Sequence, residues 1–173
     1  MNKKGFYIGD LVLGANDGII TSFAVISGAA GAGLPAFVVI VLGLANLVAD
    51  GISMGLSNYL SLRSTKEAEL RIGMNESRLD HPSRHGLATG LAFALAGSLP
   101  LIPYLFGVPQ DLRFAIAVMA TATALFTVGA LRTLVTGAHW LRSGLEMFVV
   151  GGIAAIAAYV VGAAVKALFG LAI

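Results

Sequence analysis

The sequence contains no cysteine, which excludes disulfide bonds, thiolate metal sites and cysteine nucleophiles. It is also poor in charge. Only 12% of its residues are Asp, Glu, Lys or Arg, against roughly 25% in an ordinary soluble domain. Neither an H-E-x-x-H nor a G-x-S-x-G motif is present, and none of the three histidines falls inside an apolar run, so enzymatic activity is not expected. A net charge of +2 is too small to argue for nucleic acid as a partner. What remains is hydrophobic: 57% of the 173 positions, with a mean hydropathy of +0.88. So few charges cannot cover a water-facing surface. The composition is that of an integral membrane protein, and the length gives one domain.

A helix crosses the hydrocarbon core with about 20 apolar residues. Five runs qualify, near 8–30, 36–62, 87–106, 113–134 and 145–171. They predict an all-α, polytopic fold of five transmembrane helices, with breaks at Pro35, Pro100, Pro103 and Pro109. The segment 63–86 is the one sizeable hydrophilic connection, expected to continue the second helix into the cytosol and to turn back at His81–Pro82. Loop charges then set the orientation. With the N-terminus in the cytosol, nine bases (Lys3, Lys4, Arg63, Lys66, Arg71, Arg78, Arg84, Arg132 and Arg142) lie inside, and only Arg113 and Lys166 outside. No small-residue cleavage site closes the first run, so no signal peptide is expected. These features suit a bacterial inner membrane and leave a vacuolar-type membrane open.

Within this apolar frame, Asp10, Asp17, Asp50 and Glu146 fall inside or at the edges of spans. A charge at the bilayer centre costs about 2.5–3.5 kcal/mol, so each acid requires a proton, an ion, water or a partner. No lysine or arginine occurs at matching depth, which favours a cation pathway. At 100° per residue, Asp10 and Asp17 lie about 20° apart on one face of the first helix. On the second, Asn46, Asp50 and Met54 recur at four-residue steps, again on one face. Carboxylate and amide oxygens suit hard divalent cations, while a thioether biases a site toward later transition metals. A lone methionine is ordinarily packing, and Met54 joins this set only through the face it shares with Asp50.

Gly14–Gly18 and Gly51–Gly55 are both G-x-x-x-G, a pattern that lets helices approach closely, and they are candidate packing or homodimer contacts. Glu146 reads equally as a stabilising anion at a helix start or as part of a cytosolic vestibule. In the hydrophilic segment, Glu76, Asp80, His81 and His85 form a candidate weak site for metal capture. The preferred reading of that segment is a solvated charged connector.

Three stretches carry a family resemblance. DLVLGANDGIITSFAVISG (Asp10–Gly28) and GLANLVADGISMGLSNYLS (Gly43–Ser61) resemble the first two helices of the vacuolar iron transporter family. SGLEMFVVGGIAAIAAYVVGA resembles the last helix of its small prokaryotic members. The resemblance implies a five-helix homodimer joined through the first two helices, embedded in a lipid bilayer. It further implies export of Fe²⁺ or Mn²⁺ from the cytosol in exchange for protons, with no cofactor. Asp10 and Asp17 match the family's pathway acids, and Met54 its pathway methionine. Two departures stand out. Asn46 occupies a position where the family usually has glutamate, and Asp50 one where many members have a small residue. The long acidic insert after the second helix is also reduced to the short charged segment. A non-transporting membrane metal sensor or assembly protein on the same fold is the alternative. An organic-cation transporter ranks below both, because the polar faces carry no aromatic cage.

Overall fold

The computed structural model describes residues 3–73 and 81–170, and among these every regular element is helical. In chain order they are α1 (Lys3–Ala32), α2 (Ala36–Arg71), α3 (Pro82–Gly97), a 3₁₀ turn (Leu99–Leu101), α4 (Ile102–Leu105), α5 (Gln110–Thr136) and α6 (Trp140–Phe169). Five stretches are long and apolar enough to cross a membrane: Tyr7–Ala32, Ala36–Arg71, Pro82–Leu105, Gln110–Leu134 and Trp140–Phe169.

The helix ends follow from local chemistry. Gly33, at φ +73°, closes α1 in the left-handed conformation open to glycine, and Leu34 N–H donates back to Ala29 O at 2.9 Å. Pro35 then starts α2, making α1 and α2 a tight antiparallel hairpin. The second helix runs past 62, the end expected from hydropathy, to Arg71. Its extension is built from good helix formers, with Arg63 Nε donating to Glu67 Oε1 at 2.9 Å. At 1.5 Å per residue a 36-residue helix is about 54 Å long, so its last turns project beyond a core of about 30 Å. The third span begins at Pro82 rather than 87, because proline is favoured in a first helical turn. Pro100 and Pro103 break its far end into the 3₁₀ turn and α4. The last two spans are longer than the runs 113–134 and 145–171, beginning at Gln110 and Trp140.

The central helix is α1. It packs on α3 at one side and on α5 and α6 at the other, while α2 lies chiefly on α3. Phe93 of α3 is fully buried at the core, among Phe23 and Ile26 of α1, Leu47 of α2 and Leu101. By contrast α6 exposes Val150, Ile153, Ile156, Val160 and Val161, an outward face suited to lipid.

The glycine pairs make close approaches within the chain. A Cβ on Gly14 would strike the Thr89 carbonyl, and one on Gly18 the Phe93 carbonyl, both on α3. From α2, a Cβ on Gly55 would meet Gly86 O at 2.9 Å, and one on Gly51 would touch Gly90 O at 3.5 Å. All four glycines therefore seat α1 and α2 on α3 of the same chain. Of the two uses expected for them, helix packing and a homodimer contact, this is the first.

Candidate functional site

The α1–α2 hairpin sets which polar residues meet. Leu34 lies at its turn, so residues whose numbers sum to about 68 share a depth. Asp10 pairs with Asn58 in this register, Gly14 with Met54, and Asp17 with Asp50. Asp50 is 14 residues beyond the start of α2, about 21 Å into a helix long and apolar enough to cross a membrane. The polar residues accordingly form two tiers.

In the inner tier, Asp17 and Asp50 are each half-buried and lie at one depth of the hairpin whose register the Asp10–Asn58 hydrogen bond sets. Among the described residues, no basic side chain forms an ion pair with either. Thr21 Oγ1 donates to the Asp17 carbonyl at 2.9 Å, so its hydroxyl is held one turn along the same stripe. Asn46 lies one turn from Asp50 with its amide Nδ2 buried and unpartnered, and Asn16 Oδ1 on α1 is likewise buried without a hydrogen bond. Met54 is half-buried, packed against the Phe93 core, one turn from Asp50 in the opposite direction. The structure thus brings Asp17 and Asp50 together, with Asn46 and Met54 a turn to either side.

The outer tier is a closed polar cluster. Asp10 is 8% exposed, and its Oδ2 contacts Nδ1 of His85, which is 3% exposed in the first turn of α3. Asn58 Nδ2 donates to Asp10 Oδ1 at 2.9 Å and to Thr89 Oγ1 at 2.6 Å. Thr89 in turn donates to the His85 carbonyl at 3.0 Å. The Tyr7 ring stacks on the imidazole, centroids 4.2 Å apart and planes parallel within 1°.

This arrangement corrects the expectation for the hydrophilic segment. His85 was grouped with Glu76, Asp80 and His81 as a surface capture site. Instead, it is buried inside a span because α3 starts five residues earlier than the apolar run suggested. His81 is exposed at the α3 N-cap, and Glu76 and Asp80 lie outside the described residues. Glu146 is likewise not at a helix start. It stands in the second turn of α6, exposed, accepting from Arg142 Nε at 3.1 Å. Sequence reasoning also passed over Asn58, although the four-residue steps 46–50–54 lead directly to it.

The model of the VIT family matches residues 8–72 and 66–163 of this chain, which include Asp10, Asn58 and His85 of the outer tier and Asp17 and Asp50 of the inner one. The chain belongs to the VIT family. Curated relatives agree in extent. Vacuolar iron transporter homolog 1 of Oryza sativa subsp. japonica is 31% identical over 174 residues, covering 92% of this chain and 72% of the relative. Vacuolar iron transporter 2 of the same plant is 27% identical over 220 residues, covering 95% and 89%. Vacuolar iron transporter homolog 3 of Arabidopsis thaliana is 27% identical, covering 91% and 82%. This VIT-family chain is therefore similar along nearly its whole length to proteins named as transporters. Its buried acids belong to that shared span.

Proposed function

We propose that this VIT-family protein carries a divalent transition metal, Fe²⁺ or Mn²⁺, out of the cytosol in exchange for protons. The observation that carries the reading is the Asp17–Asp50 pair: two carboxylates, from two spanning helices, at one depth and without a basic partner among the described residues. Two like charges so placed require a cation or protons between them. A carboxylate cannot hold a proton and a metal strongly at once, so loss of one favours uptake of the other. That competition is the coupling step. Asn46 adds an amide, and Met54 a thioether that biases the set toward transition metals over Mg²⁺ and Ca²⁺. Asp10 stands one hairpin tier closer to the cytosol as the entrance.

The bases at one end of the bundle support a cytosolic N-terminus by the positive-inside rule. We propose a homodimer in a bacterial inner membrane or a vacuolar-type membrane. With the glycines committed to α3, contact through α2 would use its outward face, where Phe37, Val41, Val48 and Ile52 are exposed. The test is metal uptake into proteoliposomes. Asp50→Asn should abolish it and Asp50→Glu should retain part of it; equal flux in wild type and Asp50→Asn would refute the assignment.

A further inference from the structure

We propose that Asp10, His85 and Asn58 form a separate loading site for a divalent transition metal, outside the Asp17–Asp50 pair. The inference rests on the transport reading for direction, but the site itself stands on its own geometry. Three helices deliver its groups to one point: a carboxylate from α1, an amide from α2 and an imidazole from α3. The cluster is buried, and the Tyr7 ring covers one face of the imidazole.

The donor chemistry differs from that of the inner tier. Imidazole nitrogen suits Fe, Zn, Cu and Ni, and with carboxylate oxygen it disfavours Mg²⁺ and Ca²⁺. A site with this donor set adds a nitrogen-based selection before the ion reaches the Asp17–Asp50 pair. In an octahedral ion with bonds of about 2.1 Å, neighbouring ligand atoms sit about 3 Å apart, close to hydrogen-bond distance. Metal can therefore replace the proton shared by Asp10 Oδ2 and His85 Nδ1 with little movement of the helices. That proton leaves to water as the metal binds.

Among the described residues, no three His, Asp or Glu side chains converge. Two such ligands and water, joined by Asn58 once its amide turns to present Oδ1 in place of the Nδ2 that now donates to Asp10 and Thr89, make a moderate site, as a site that must hand its ion onward requires. The bland account is a structural Asp–His pair tying α1 to α3. It predicts no nitrogen ligand to bound metal.

The test is pulsed EPR of purified full-length protein titrated with Mn²⁺, reading nitrogen hyperfine coupling, alongside Mn²⁺ flux in proteoliposomes. Wild type should bind Mn²⁺ with imidazole coupling. The coupling should persist in Asp17→Asn, whose flux is lost, and in His81→Gln and His139→Gln. His85→Gln should remove it and raise half-saturating Mn²⁺ at least about ten-fold. Asn58→Asp, which adds a carboxylate to the cluster, should lower half-saturating Mn²⁺. Wild type that transports Mn²⁺ but shows no nitrogen coupling overturns the loading site and leaves the transport reading standing. Coupling without flux for any metal keeps the loading site and defeats the transport reading. The wild-type spectrum decides the matter even where a variant fails to fold.

Discussion

Asp10 and Asn58 are joined by a 2.9 Å hydrogen bond across the α1–α2 hairpin, each 24 residues from Leu34 at its turn. This bond fixes the hairpin register. It also places Asp17 opposite Asp50 two turns further in, so the inner pair is a consequence of the same alignment.

Removing Asn58 should therefore loosen the bundle. Asn58→Ala leaves Asp10 and Thr89 without their shared donor, a loss of about 1–3 kcal/mol for a buried polar group. The thermal midpoint of the purified protein should fall measurably, and an unchanged midpoint would show that the bond does not hold the hairpin.

Asn46 and Asp50 lie one helical turn apart, about 6 Å along α2. If the pathway needs one carboxylate on this face, its exact rung is adjustable. Asp50→Ala should abolish metal flux, and Asn46→Glu added to Asp50→Ala should restore a measurable part of it. Full loss in the double variant would tie the function to position 50 alone.

Gly162 and Gly152, both on α6, form a matched pair. A Cβ on Gly162 would collide with the Gly28 carbonyl of α1, while one on Gly152 meets nothing within 4 Å. Gly162→Ala should cost about 1–3 kcal/mol through overpacking, and Gly152→Ala should cost little. Thermal melts of the two variants compare them directly, and equal losses would contradict the packing described for α1 and α6.

Much of this architecture is legible in the sequence. The apolar runs mark the five spans, and the four-residue step through Asn46, Asp50 and Met54 marks the stripe of α2 that lies at the level of Asp17. The charged segment is expected to continue the second helix, and α2 does run on to Arg71; only its last residue is illegible, because a hydropathy pattern marks where apolar residues stop, not where a helix stops. The burial of His85 against Asp10 is illegible for a different reason. The histidine sits in a polar stretch, HPSRHG, and its partner Asp10 is 75 residues away, a pairing no local period encodes. Pro82 was the available signal, since a proline in the first turn places His85 inside a helix. The glycine pairs were legible as close-approach surfaces. That they pack on α3 in particular was not.

The absence of cysteine makes topology directly measurable with single introduced thiols. Ser64 and Ala138 lie at one end of the bundle, and Phe106, 76% exposed, at the other. With a cytosolic N-terminus, an impermeant maleimide should label Phe106→Cys in intact cells. Ser64→Cys and Ala138→Cys should react only after permeabilisation. The reverse pattern would invert the proposed orientation.

Proton-coupled metal movement through the Asp17–Asp50 pair is the central claim, and flux in proteoliposomes tests it most directly. Fe²⁺, Mn²⁺, Co²⁺ and Zn²⁺ would each be followed with and without a proton gradient, against Asp17→Asn. The account predicts gradient-dependent Fe²⁺ or Mn²⁺ flux that is lost in the variant. Folded wild-type protein that moves none of the four metals, or an Asp17→Asn protein that moves them at the native rate, would contradict it.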